Sequence, residues 1–328
     1  MTIRNPIEDL AHLRHEFGEH GGVNMSIEAS STFTVIEPET MPALFQGRAG
    51  PDKGCYLYGR HFNPTVYNLG RQMAALEGTE AAYCAASGLG AISSVFLSLC
   101  DQGDEIVASN AIYGGTFALL HDFLPAKSGI KTSFVDITDP DAVASAITDR
   151  TRLVILNTPH NPTGRVFTRD ELGVVADLCQ AYGVIAVTDE IYDRILYGSH
   201  EHVSIGSLDG MQDRTVTISG LGKTYSVTGW RIGWAVAAQP LSAAIRKVHD
   251  YLTVCAPAPF QAAGIVALRL PSHTPPPVVA ALPTTAALNT SRGCTSEASS
   301  VPTLTSPTPS GETNAYVAQT DPFFDKLK

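Results

Sequence analysis

A chain of 328 residues, 44% hydrophobic and 16% charged, can bury a large core as one large or two ordinary domains; with no short repeat, it excludes collagen, coiled coil and wholesale disorder. With 32 acidic against 22 basic residues the formal charge is −10, which argues against a cationic footprint for nucleic acid while leaving room for a local small-phosphate pocket. No run approaches the ~20 uncharged apolar residues of a membrane span, and residues 1–22 carry charges throughout, so a soluble, cytoplasmic protein without a membrane partner is expected.

In chain order, Asn63-Pro64 reads as an N-cap followed by the first helical residue. Val66, Leu69, Met73 and Leu76 share one helical face, and Gly78 ends the run. Ala81–Cys84 is a short apolar strand. Ser87-Gly88-Leu89-Gly90 opens the next helix, whose buried face is Ile92, Val95, Phe96 and Leu99. A strand over Glu105–Ser109 leads to a Gly114-Gly115 turn and a further helix. Thr168-Arg-Asp-Glu171 is a capping box; Leu172, Val175, Cys179 and Tyr182 continue it at helical spacing, and Gly183 stands at the C-cap. Leu153–Leu156, Val184–Thr188, Thr215–Ser219 and Trp234–Ala237 are the remaining β-rich runs.

This alternation predicts an α/β fold, a mainly parallel sheet with helices on both faces. In such sheets ligands bind at the carboxyl ends of the strands. The expected organisation is an N-terminal segment over 1–60, a large domain over 61–270 and a tail over 271–328. That tail holds 9 prolines and 17 Ser or Thr in 58 positions and reads as linker or disorder. Cys55, Cys84, Cys100, Cys179, Cys255 and Cys294 include no CxxC pair, and the ten histidines show no HExxH spacing. Neither a disulfide framework nor a metal site is expected, and most of the cysteines read as small buried hydrophobes.

Four loops at strand ends carry the chemistry-bearing residues. They are Asn161-Pro-Thr-Gly164, Asp189-Glu-Ile-Tyr192, Ser219-Gly-Leu-Gly-Lys223, and Arg231 within Gly229-Trp-Arg-Ile-Gly-Trp234. Singly each is ordinary: NPTG is a common turn, and a lone lysine is usually a surface residue. Together, over about 151–270, they resemble the class I/II aminotransferases, pyridoxal 5'-phosphate (PLP) enzymes of fold type I. The resemblance implies that Lys223 links covalently to PLP and that Asp189 pairs with the protonated ring nitrogen. It implies further that Tyr192 and Asn161 hydrogen-bond the ring hydroxyl, while Arg231, helped by Ser219, grips the phosphate. A lysine nucleophile must be neutral, so burial and nearby positive charge are expected to lower its pKa from about 10.4. Once displaced by substrate, Lys223 is the natural base for moving the Cα proton.

Residues from about 22 to 137 follow a sister pattern. Tyr56-Leu-Tyr58-Gly-Arg60-His-Phe-Asn-Pro64-Thr, Leu76-Glu-Gly-Thr-Glu80-Ala, Ala86-Ser-Gly-Leu-Gly90 and Ala111-Ile-Tyr113-Gly-Gly-Thr116 resemble the Cys/Met-metabolism PLP enzymes of methionine γ-lyase type. That likeness implies phosphate contacts from the Gly88 and Leu89 N–H groups at a helix N-terminus. It also implies stacking and proton transfer by Tyr113, and Tyr58 and Arg60 reaching the phosphate of a neighbouring subunit in a homodimer or dimer of dimers. A junction between the two patterns is expected at about 136–157. Both families continue past the point matching Leu270 into a small domain that holds the substrate carboxylate, so the chain is expected to lack that clamp. The leading expectation is an aminotransferase acting on an amino acid and a 2-oxo acid. The alternatives are a β/γ-elimination lyase on sulfur amino acids and a PLP-binding protein with little activity.

Overall fold

The computed structural model describes residues 26–268 apart from 35–37, 47, 52–54, 61 and 254. The tail over 271–328 and Cys294 lie outside the described residues. Seven strands form one sheet: β1 (Ala81–Ala85), β2 (Glu105–Ser109), β3 (Lys131–Val135), β4 (Thr151–Asn157), β5 (Ile185–Asp189), β6 (Thr215–Gly220) and β7 (Gly233–Ala237). Their order is β1-β7-β6-β5-β4-β2-β3. β7 runs antiparallel to both its neighbours, whereas β6, β5, β4, β2 and β3 pair in parallel. The expected mainly parallel sheet is therefore present, with one reversed strand.

The helices are α1 (Met41–Phe45), α2 (Pro64–Leu76), α3 (Gly88–Leu99), α4 (Gly114–Ala118), α5 (Leu124–Ser128), α6 (Pro140–Ala146), α7 (Arg169–Tyr182), α8 (Leu221–Thr224), α9 (Gln239–Leu252) and α10 (Ala258–Leu268). A π-helical turn, Leu119–Phe123, joins α4 to α5. Side chains cap the starts of α2, α3, α6 and α7. Asn63 Oδ1 accepts the N–H groups of Thr65 and Val66 at 2.8 and 3.3 Å, with Pro64 first in the helix. Ser87 Oγ accepts Gly90 N–H at 2.9 Å. Thr168 and Glu171 complete the expected capping box, and Gly183 closes α7 in the left-handed region at φ +68°.

Alternation along the strands divides the core between two faces. Ile106, Ala108, Leu153, Ile155, Val187, Val216 and Ile218 pack with Ile92, Val95 and Phe96 of α3 and Ile245 of α9. Val107, Val154, Leu156 and Ala186 pack on the other face with Val143 of α6 and Leu172, Val175 and Cys179 of α7. Beside them, Leu69 and Met73 of α2 meet Cys84, Trp234, Val236 and Ile265.

The structure departs from the expectations in several places. Tyr182 is 54% exposed because it ends α7 at the surface, so its helical spacing does not bring it into the core. Gly114 and Gly115 begin α4 rather than form a turn before it. β3, an edge strand in which no residue is fully buried, and α10, apolar on its exposed as well as its buried side, carried no usable period. The five described cysteines are free thiols. Burial pushes those of Cys84, Cys100 and Cys179 up to about 12. No described helix is long and apolar enough to cross a membrane.

Candidate functional site

Loops following β1, β2, β4, β5 and β6 gather around a cavity of about 410 Å³ at the carboxyl ends of the strands. Nine of the residues singled out from the sequence line it together: Gly88, Leu89, Tyr113, Asn161, Asp189, Tyr192, Ser219, Lys223 and Arg231. Tyr58 and Arg60 do not. Arg60 Nη1 donates to the Asp250 carbonyl at 2.7 Å, and its guanidinium lies 5.8 Å from the Tyr58 ring centroid.

The first wall is the start of α3. Ser87 occupies Gly90 N–H, which leaves the N–H groups of Gly88 and Leu89 without an acceptor among the described residues. A Cβ on Gly88 would meet nothing within 4 Å, so this turn faces open space. Behind it the fit is close. A Cβ on Gly233 of β7 would stand 2.5 Å from Gly88 N and 2.6 Å from Ser87 C, so only glycine lets β7 approach the turn.

Asp189 ends β5 opposite Asn157, the last residue of β4. Burial pushes its carboxyl up to about 6; the Ile191 N–H at 3.2 Å opposes that shift and the charge of Glu190 adds to it. Glu190 is itself buried and satisfied by Thr188 Oγ1, His202 Nε2 and Ser204 Oγ at 3.1, 2.9 and 2.9 Å. Asp189 has no ion-pair partner among the described residues. Sequence reasoning missed Asn157, which pins the two loops. Its Nδ2 donates to the Asp189 carbonyl at 2.8 Å, and its Oδ1 accepts Asn161 N–H at 2.8 Å. The available signal was an amide directly after the apolar run Leu153–Leu156.

Lys223 follows β6 in the short helix α8, with Nζ 5.5 Å from the Tyr192 ring centroid. Asn161 Nδ2 donates to the Tyr192 hydroxyl at 3.4 Å. Arg231 is exposed and held by backbone geometry. It and Ser226 take left-handed φ values of +56° and +58°, and Arg231 Nη1 donates to the Thr228 carbonyl at 2.8 Å. Strain of this kind costs about 1–3 kcal/mol per residue and persists only where its surroundings enforce it. Here Trp230 stacks on Phe260 of α10 at 5.5 Å and 14°, clamping the segment. Tyr113, the N-cap residue of α4, is 48% exposed at the cavity wall.

The donor set suits a phosphorylated, cationic ring. Two orphan N–H groups, the Ser219 hydroxyl and the Arg231 guanidinium suit a phosphate, the Lys223 amine suits covalent attachment, and the half-buried Asp189 carboxyl without a counter-ion among the described residues suits a protonated ring nitrogen. Among the described residues no group of His, Cys, Asp or Glu is placed to hold a metal ion.

Comparison with known proteins agrees with this chemistry. The pattern of the Cys/Met metabolism PLP-dependent enzymes matches residues 10–194, and the chain belongs to that family. Its cofactor class is PLP. It is 56% identical to methionine gamma-lyase of Arabidopsis thaliana over 189 residues, 57% of this chain and 42% of that protein. It is also 36% identical to human kynurenine–oxoglutarate transaminase 1 over 193 residues, 54% of this chain and 44% of that protein. The chain thus spans less than half the length of these curated relatives. The two matched shares together exceed the whole chain, so they overlap, and the family match runs past the expected junction at 136–157. Among solved structures, N-succinyldiaminopimelate aminotransferase from Mycobacterium tuberculosis superposes with a TM-score of 0.59 at 29% identity, covering 75% of this chain and 65% of that one. Cystathionine gamma-lyase from Lactobacillus plantarum gives 0.63 at 25% identity, covering 81% and 64%. These are fold-type I PLP enzymes.

Proposed function

We propose that the chain is a PLP-dependent aminotransferase that exchanges an amino group between an amino acid and a 2-oxo acid. The observation that carries this reading is the grouping of Lys223, Tyr192, Asn161 and Asp189 on one cavity, with Lys223 Nζ 5.5 Å from the Tyr192 ring and Asn161 donating to the Tyr192 hydroxyl. In this reading Lys223 holds the cofactor covalently, and Asp189 pairs with its ring nitrogen. Asn161 and Tyr192 orient the ring hydroxyl, Tyr113 stacks on the ring, and Gly88, Leu89, Ser219 and Arg231 bind the phosphate. When bound, PLP supplies an electron-withdrawing ring for the pair left behind when the Cα proton departs. Lys223 would accept the Cα proton at Nζ and hand it on, a proton transfer that transamination requires and γ-elimination shares. The same reading includes a homodimer in which Tyr58 and Arg60 serve the neighbouring subunit. It also divides the chain into a segment over 1–60, a cofactor-binding unit over 61–270 and a tail over 271–328.

Elimination at a sulfur amino acid is the second reading. It is favoured by the 56% identity to the Arabidopsis lyase and by the Tyr113 phenol on the cavity wall. Borohydride reduction in the presence of PLP, followed by peptide mapping, tests the shared part: label on Lys223 is expected, and label elsewhere or none overturns it. Incubation of amino acids with a 2-oxo acid then separates the readings. Acceptor-dependent turnover without free ammonia supports transamination, acceptor-independent ammonia and thiol support elimination, and labelling without turnover leaves a cofactor-binding protein of little activity.

A further inference from the structure

Tyr113 is poorly held by its own surroundings. Its side chain is 48% exposed and its hydroxyl has no hydrogen-bond partner among the described residues. Upstream, Asn110 N–H donates to the Val135 carbonyl at 2.8 Å, but Ala111 is joined to Ser109 Oγ only by two long contacts of 3.3 Å. The ring lies over Gly115, where an added Cβ would stand 2.7 Å from Tyr113 Cε1. A small rotation of this loop therefore changes what Tyr113 presents to the cavity.

His160 supplies the missing tether. Its Nε2 contacts the Ala111 carbonyl oxygen, and its Nδ1 lies 2.6 Å from Thr163 Oγ1. A carbonyl only accepts, so Nε2 carries the proton. Thr163 Oγ1 also accepts Arg165 N–H at 3.3 Å, so the imidazole, the hydroxyl and the Arg165 amide form one local network. The backbone beneath is closed on itself, with His160 N–H donating to the Arg165 carbonyl and Gly164 N–H to the His160 carbonyl, both at 2.8 Å. Asn161 follows immediately and is pinned by Asn157. His160 thus links the loop of Asn161, from the aminotransferase-like stretch, to the loop of Tyr113, from the γ-lyase-like stretch.

We propose that His160 is a positioning residue that fixes the Tyr113 loop against the Asn161 loop through the Ala111 carbonyl. Its effect on the cofactor rests on the function proposed above; its effect on the loop does not. Amide hydrogen exchange over residues 110–117 should speed up at least about tenfold in His160→Ala, and His160→Gln, which keeps a long N–H donor, should restore it to within about threefold. In a double-mutant cycle read by PLP dissociation constants, His160→Ala should weaken binding about tenfold in the wild type but no more than about twofold in Tyr113→Ala. Unchanged exchange in His160→Ala, or an equal loss of affinity in both backgrounds, overturns the proposal. If the protein binds no PLP, the function fails, and the exchange experiment still decides the role of His160.

Discussion

Asp189 offers the most direct test of how the cavity selects its ligand. Removal of the carboxyl from water pushes it from an ordinary 3.8 to about 6, a penalty on the ionised form of roughly 3 kcal/mol. The sign follows: at pH 7 about nine in ten of these groups are ionised in the empty protein, and at pH 5 about nine in ten are protonated. A cation seated against Asp189 needs the carboxylate, so acid must first be displaced, which costs about 1.4 kcal/mol at pH 5 and almost nothing at pH 7. The dissociation constant for PLP should therefore rise about tenfold from this source alone. The phosphate of PLP titrates in the same range, so the comparison is with Asp189→Asn, in which that contribution is retained and the carboxyl is gone. Titrations followed by absorbance at pH 7.0 and 5.0 should give a ratio of dissociation constants about tenfold larger for the wild type than for the variant. Equal ratios would refute the pairing of Asp189 with a cationic part of the ligand.

Three further outcomes follow from single residues. His249 is 1% exposed, neither ring nitrogen has a hydrogen-bond partner among the described residues, and burial lowers its pKa to about 4; the unfolded chain binds the proton first, so stability should fall by about 2 kcal/mol between pH 7.5 and 5.0, and urea titrations should show that loss diminished in His249→Phe. Parallel pH profiles would contradict it. Gly233→Ala places a methyl 2.5 Å from Gly88 N, so it should weaken PLP binding by more than about tenfold and lower the thermal midpoint, both measurable on one preparation. Tyr113→Phe removes an acid but keeps the ring: acceptor-dependent amino transfer should stay within about threefold, whereas any thiol release should drop by more than about tenfold.

Much of the fold is legible in the chain because its signals are local. The cap at Asn63 and the capping box at Thr168 fix helix starts by side-chain geometry alone. The all-buried β2 and the nearly all-buried β4 read as short apolar runs between turns. The signal fails where burial is incomplete or uniform, as in the edge strand β3 and in α10. The site was legible through loop motifs at strand ends, but its supports were not. Asn157 acts through the register that sets β4 beside β5, and His160 acts through a loop 49 residues away in sequence. Neither relation has a local period. The reversed direction of β7 is likewise invisible in its apolar run, since direction is decided by where the preceding segment, Ser226–Arg231, turns the chain.

The same geometry explains how two sister patterns can serve one cavity. Each strand of a parallel sheet delivers one loop to the same edge, so the site is assembled from separate pieces whose positions are set by strand pairing rather than by each other. The α3 turn and Tyr113 come from β1 and β2, while Asn161, Asp189 and Lys223 come from β4, β5 and β6. Strand order places β4 between β2 and β5, so the junction expected at 136–157 falls at the middle of the sheet, not at an edge. What must match across that junction is the β2–β4 register, the β1–β7 pairing and the contacts between neighbouring loops. The register holds from Ile106 opposite Leu153 to Ala108 opposite Ile155, after a shift at Glu105. The loop contact is His160 on Ala111. The alignment between the two sets of residues therefore rests on the β1–β7 and β2–β4 pairings, on the close approach of Gly233 to the Gly88 turn and, for Tyr113, on this one imidazole.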